Sequence, residues 1–246
     1  MIKDILDLDL LFENLDRKSN LLDAQRVPDG KFHPSSFGSC ERKLYYAYHK
    51  TQAKAQISSG LRRTFDHGHV VHSWIQKKLV KIAEGLPFLT EDDYKPGCKF
   101  TVECEVNITN TTWAKDHNVS GSADALITLT EVEGKDIGPK KVVYELKTSA
   151  SKTWDSIKTP LIKHVMQANA YAAALEADLI IFDYYNKDKD VHKRFYVQPD
   201  LEIQKSISDT LYNVMLTCTS GEEVPRQISS WECDSCPYKY TCLQNE

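Results

Sequence analysis

No stretch of this 246-residue chain approaches the ~20 consecutive apolar residues of a membrane-spanning helix, so no membrane span or membrane partner is expected. The opening Met1-Ile2-Lys3-Asp4 leads into charge rather than an apolar run, which argues against a secretion signal and for the cytoplasm. Seven cysteines, an odd number without a secretion signal, make a disulfide framework an unpromising reading. There is no Gly-x-x-x-x-Gly-Lys-Ser/Thr phosphate loop, so any nucleotide-driven motor would have to come from a partner. Internal repeats and low-complexity linkers are absent too. A net positive charge is also missing, the formal value being −4.

What is present suits one substantial α/β domain. Hydrophobic content is 41 % and charged content 27 %, enough for an ordinary core. Charge is unevenly spread. From Cys40 to Lys81 there are nine Lys/Arg against only Glu41 and Asp66, a local +7 that reads either as a phosphate-binding face or as a solvated helix surface. Residues 2–22 have helical apolar spacing, Pro34-Ser35-Ser36 resembles a helix start, and a longer helix is expected over about 59–83, ended by Gly85 and Pro87. Strands are expected near 100–108, 122–130 and 141–147, with 131–141 as a loop because it holds Gly134, Gly138 and Pro139. A helix over 160–176, a strand at 179–185, its hairpin partner at 193–197 and a helix over 201–216 follow. This order predicts a mixed sheet flanked by helices, with a helical region at 1–98, a core at 99–199, and a C-terminal helix and cysteine-rich tail at 200–246.

The chemistry gathers between Asp124 and Lys147. Glu145 and Lys147 are two apart on one expected strand and so share a face, with Asp124 on the neighbouring strand. Two carboxylates and an amine suit a divalent cation with a charge-stabilising group beside it. A same-face ion pair on a wet sheet is the simpler reading of Glu-x-Lys alone. His72 sits one helical turn before Gln76, and a lone helical histidine is more often structural than a ligand.

Taken together, Gly68-x-x-x-His72, Gly121-x-x-Asp124, Glu145-x-Lys147 and Gln167-x-x-x-Tyr171 closely resemble, in type and order, the motifs of the RecB-type branch of the PD-(D/E)xK nuclease superfamily. The resemblance implies a restriction-endonuclease-like fold and a metal-dependent DNA exonuclease. In that family's roles, His72, Asp124 and Glu145 hold Mg²⁺ or Mn²⁺ with the backbone carbonyl of Leu146. Lys147 orients water or neutralises phosphate charge, and Gln167 and Tyr171 steady Lys147 or the DNA backbone. Where many members have Asp, this chain has Glu145, and either carboxylate can serve.

The chain closes on Cys233-x2-Cys236-x5-Cys242, three thiols that need a fourth, for which Cys40 is the candidate. Four cysteines satisfy structural zinc as well as iron, although a zinc ribbon more often shows two close pairs. RecB-like nucleases with an iron–sulfur cluster place one cysteine before the core and three after it, so the resemblance implies a [4Fe–4S] site at Cys40, Cys233, Cys236 and Cys242, acting as a staple across a long loop. Cys98, Cys104 and Cys218 read as small hydrophobes.

Arg42, Lys43, Arg62 and Arg63 are the expected phosphate contacts, Tyr45 a base-stacking candidate, and Ser149 a further polar group near the site. By resemblance the substrate is single-stranded DNA degraded from 5′ ends, in recombination, repair or phage DNA processing within a bacterial or phage-infected cell. A CRISPR adaptation nuclease that trims spacer precursors is an alternative, as is a DNA-end binding subunit without catalysis. A helicase, recombinase or integrase would be the protein partner.

Overall fold

The structure, a computed structural model, describes residues 13–20, 27–53, 58–85, 98–226 and 230–244. The chain divides into two compact units. One comprises Phe32–Gly38 and Val71–Asn213, and the other Met1–Lys31, Ser39–Val70 and Val214–Glu246. The expected helix over 2–22 is described only at residues 13–20, which are helical.

The first unit is built on a five-stranded mixed sheet in the order β1 (Lys99–Asn107), β2 (Ser122–Val132), β3 (Lys135–Ser149), β4 (Leu179–Asn186) and β5 (Val191–Val197). Adjacent strands are antiparallel except β3 and β4, which run parallel. A parallel pair needs a crossover, and helices α4 (Ser151–Trp154) and α5 (Ile162–Leu175) supply it. Because β3 and β4 are central, their apolar residues are buried on both faces: Val143, Leu146, Ile180 and Phe182 have no solvent exposure.

The segment expected as a loop over 131–141 is mostly strand. Glu133 and Gly134 both have left-handed backbone (φ 51° and 73°), so β2 and β3 join through a tight two-residue turn. Gly138, at φ 66°, lies where the β2/β3 register shifts between Leu129 and Glu131. That irregularity takes up Pro139, which cannot donate to a regular ladder.

Helices cover both faces. Helix α2 (Ser59–Glu84) ends at Gly85, at φ 74°, as its sequence predicts. Val71 and Ile75 of α2 pack with Ala125, Tyr144, Leu146 and Tyr185 in one buried cluster. Helix α5 lies on the opposite face, which carries Glu145 and Lys147. On the α2 side, buried Asp183 accepts hydrogen bonds from Tyr144 Oη (2.6 Å) and Arg194 Nε (3.0 Å) and shares one with His192 Nδ1 (2.8 Å). Short helix α3 (Thr112–Asp116) is capped by Thr111, whose Oγ1 accepts from the Ala114 amide.

The start expected at Pro34-Ser35-Ser36 is a single 3₁₀ turn that stops at Phe37. Gly38 then turns left-handed at φ 70°, and a Cβ there would meet Met166 Sδ at 2.7 Å, so glycine is needed. Cys40 becomes the N-cap of helix α1 (Glu41–Tyr48).

In the second unit, α1 packs through Tyr46 against Tyr238, ring centroids 5.3 Å apart. Helix α6 (Leu201–Ser220) has its last residues, from Val214, in this unit, which also holds α7 (Ser230–Ser235) and α8 (Lys239–Gln244). Among the described residues, no helix is long and apolar enough to cross a membrane.

Candidate active site

The β2/β3 ladder ends at Ala125 opposite Tyr144, so Asp124 and Glu145 are the next residues on each strand, where the strands begin to part. Asp124 is held from two sides. Its Oδ2 accepts from the Leu146 amide at 2.7 Å, and its Oδ1 lies 3.2 Å from His72 Nδ1 of α2. Burial tends to keep His72 neutral, but the hydrogen bond and charge of Asp124 outweigh it and raise the imidazole above its ordinary value.

Glu145 and Lys147 share a face of β3, and Lys147 Nζ donates to Glu145 Oε1 at 2.6 Å. Lys147 Nζ also donates to Gln167 Oε1 of α5 at 2.9 Å. One turn further along α5, Tyr171 Oη accepts from Gln167 Nε2 at 3.4 Å. Gly121 lets this packing close: a Cβ there would lie 3.0 Å from Pro34 Cδ and 3.6 Å from Tyr171 Oη. The structure therefore brings His72, Asp124, Glu145, Lys147, Gln167 and Tyr171 together from four elements, with Leu146 entering through its amide.

Glu145 is the most strained member electrostatically. It is 1 % exposed, and its Oε2 is buried without a hydrogen-bond partner among the described residues. Burial, with the charge of Asp124 added, pushes its carboxyl above the usual carboxylate range, against the pull of Lys147. Such an orphaned oxygen costs free energy unless something meets it. Among the described residues, no three His, Cys, Asp or Glu side chains form a group that could hold a metal ion as they stand. The donor set still fits one, since a free carboxylate oxygen beside a second carboxylate and an imidazole suits a small divalent cation.

A scan against protein families matches residues 43–243 to the PD-(D/E)XK nuclease superfamily. The chain belongs to this superfamily. It is a nuclease, with the mixed α/β fold of that group, whose members generally use divalent metals such as Mg²⁺ or Mn²⁺. A search of curated proteins found no match. Among solved structures, SSO0001 is similar over 97 % of each chain at 18 % identity and a TM-score of 0.50, a likeness of fold. The alkaline exonuclease LHK-Exo from Laribacter hongkongensis matches at 12 % identity and a TM-score of 0.49, covering 83 % of this chain and 93 % of its own. Its complex with dAMP matches at 15 % identity and a TM-score of 0.48, covering 81 % and 92 %.

The nuclease's expected nucleic-acid contacts are differently placed. Arg42, expected on the surface, is 7 % exposed, ion-paired to Glu223 and 5.9 Å from the Tyr46 ring centroid. One terminal nitrogen of its guanidinium is therefore engaged by an acid far away in sequence, and the side chain is mostly buried. Arg62 donates to Asn20, and Arg63 pairs with Asp16 (2.7 Å) and Glu13 (3.0 Å). Tyr45 packs edge-on against Tyr46, while Lys43 lies partly exposed on α1. Ser149 is buried, with its hydroxyl 2.8 Å from Thr153 Oγ1 and donating to the Ala150 carbonyl at 3.1 Å.

The four tail-and-helix cysteines are free and partly buried. Burial raises the Cys236 thiol, Lys43 opposes this, and nearby Cys40 and Cys233 add to it. Cys242 lies within electrostatic reach of Arg42 and Tyr46. As described, they are not arranged as a closed metal cage.

Sequence reasoning passed over two residues at this site. Gln76 was visible only as a neighbour of His72, and Glu105 only as an acid on an expected strand. Gln76 Nε2 donates to the Asp124 carbonyl (2.9 Å) and to Glu105 Oε1 (2.6 Å). No local pattern announces a contact between elements so far apart in sequence.

Proposed function

We propose that this nuclease is a divalent-metal-dependent DNA exonuclease whose site is His72, Asp124, Glu145 and Lys147. The observation that carries the reading is the unpartnered Oε2 of buried Glu145, beside an amine anchored on both sides. His72, Asp124 and Glu145 would hold Mg²⁺ or Mn²⁺, with the Leu146 backbone adjacent. A cation bound there supplies Lewis acidity toward the scissile phosphate and acidifies water. Lys147, fixed between Glu145 and Gln167, neutralises charge that builds on the phosphate oxygens or orients the attacking water. Gln167 and Tyr171 set the height of the amine above the sheet.

The resemblance to RecB-like exonucleases extends the reading to single-stranded DNA, 5′-to-3′ polarity, and recombination, repair or phage DNA processing. It also supports a single domain over 1–246 and a [4Fe–4S] cluster on Cys40, Cys233, Cys236 and Cys242. The closeness of Cys40 and Cys233 to the Cys236 thiol favours that thiol set.

The test is digestion of end-labelled and circular single-stranded DNA with Mn²⁺ or EDTA, using the parent and K147A. Loss of cleavage in K147A with DNA binding retained supports the reading, and undiminished cleavage defeats it. Absorbance near ~400 nm that disappears in C233S supports the cluster, and zinc alone in metal analysis defeats it.

A further inference from the structure

Position 105 interrupts the β1/β2 ladder without shifting it. Cys104 pairs with Ala125 and Val106 with Ala123, so Glu105 and Asp124 face each other, yet they are not a ladder pair. The reason is local. Glu105 has φ 53°, a left-handed conformation in the middle of a strand. For a non-glycine residue that costs on the order of 1–3 kcal/mol, and such strain persists only where surrounding structure enforces it. Asp124, left without its ladder partner, still has a backbone carbonyl to satisfy. The Gln76 amide takes that role, donating to Asp124 O at 2.9 Å, and its other N–H donates to Glu105 Oε1 at 2.6 Å.

The two bonds form a chain that runs from strained Glu105 through Gln76 to Asp124. Gln76 and His72 lie one turn apart on α2, so a single helical face grips Asp124 twice: His72 on its carboxylate, Gln76 on its carbonyl. The Asp124 carboxylate is then fixed by His72, by the Leu146 amide and by an anchored peptide group. Orientation of this kind decides whether a carboxylate is preset for a cation or must pay entropy to reach it.

We propose that Gln76 and Glu105 are positioning residues for Asp124: the left-handed turn at 105 leaves the Asp124 carbonyl to Gln76, and the Glu105 carboxylate holds the Gln76 amide in place to meet it. This rests on the reading of Asp124 as part of the nuclease site. A purely structural role would let glycine at 105 relieve the backbone with no loss in metal binding. The positioning role makes it an improvement in stability and a loss in the site.

The experiment uses the full chain as parent, E105G, E105Q and Q76L, with Mn²⁺ binding read by electron paramagnetic resonance, thermal unfolding without metal, and steady-state cleavage. E105G is expected to raise the unfolding temperature, since glycine adopts φ 53° freely. It is also expected to weaken Mn²⁺ binding and lower kcat by about 10-fold to 100-fold, leaving KM for DNA unchanged. Q76L shows the same loss in Mn²⁺ binding. E105Q keeps the acceptor for Gln76 and stays close to the parent. Parent-like Mn²⁺ binding in both E105G and Q76L overturns the proposal. If Q76L does not fold, E105G alone decides. A K147A variant that cleaves like the parent defeats the nuclease site itself, whereas an inactive K147A together with parent-like Mn²⁺ binding in both E105G and Q76L defeats only the positioning role.

Discussion

Lys147 reaches across two residues of its own strand to Glu145, Nζ to Oε1 at 2.6 Å, and leaves Glu145 Oε2 buried and unpartnered. The amine therefore satisfies half of a carboxylate that is otherwise 1 % exposed. A carboxamide at 145 would retain an acceptor for Lys147 and drop the desolvated charge. E145Q is expected to unfold at a temperature at or above that of the metal-free parent while losing cleavage and Mn²⁺-induced stabilisation. Thermal melts with and without Mn²⁺ check this, and a strongly destabilised E145Q would contradict it.

Asp183 is a buried carboxylate of the opposite kind, because Tyr144, His192 and Arg194 all meet it. D183A would leave a buried hydroxyl, an imidazole and a guanidinium without their shared acceptor. A loss of about 3–5 kcal/mol in unfolding free energy is expected, measured by urea denaturation. Any effect on cleavage should follow from stability, since Asp183 lies on the α2 face and not with Lys147.

His164 gives the acid limb of stability. Burial, with the charge of Lys147 adding to it, lowers its imidazole to about 4 from 6.5. The Tyr184 hydroxyl, 2.8 Å from Nδ1, accepts from the Leu161 amide and so is placed to donate to a neutral ring. The folded state resists protonation that the unfolded state accepts. The stabilisation is complete above pH 6.5 and lost as pH falls toward 4. The loss is on the order of 2 kcal/mol once partial solvent screening is allowed for. H164Q should flatten the difference over that window in pH-dependent urea titrations.

Gly121 offers a test of packing. A methyl there would sit 3.0 Å from Pro34 Cδ, and 3.6 Å from Tyr171 Oη. G121A is expected to cost about 1–2 kcal/mol, because Pro34 must give by a few tenths of an ångström, and to leave cleavage near the parent rate, because 3.6 Å to Tyr171 Oη is an ordinary contact. Urea titration and initial rates check both parts.

The site was legible in sequence because its residues sit in short motifs whose spacing matches their elements. Glu145 and Lys147 share a strand face, Gln167 and Tyr171 share a helix face, and Gly121 precedes Asp124 at a close approach. The boundaries of α2 could be read from its apolar stripe and from Gly85. The β2/β3 turn was misread because Gly134, Gly138 and Pro139 all signal irregularity, and only the register shows that one pair makes the turn while the others share a bulge. The charged surface was harder still. Arg42 and Arg63 look like phosphate contacts when charges are counted along the chain, but their acids, Glu223 and Glu13 with Asp16, lie far away in sequence. Glu105 had no signal at all, since left-handed backbone at a glutamate follows from tertiary constraint.

The tight turn at Glu133 and Gly134 stands about 30 Å along β2 from Asp124, at the strand rise of an extended chain. Both residues are exposed, and neither contributes a side chain to the site. A fluorophore, affinity tag or surface linker grafted between them would leave catalysis untouched. It would turn the hairpin into a handle for tethering or watching single molecules at work.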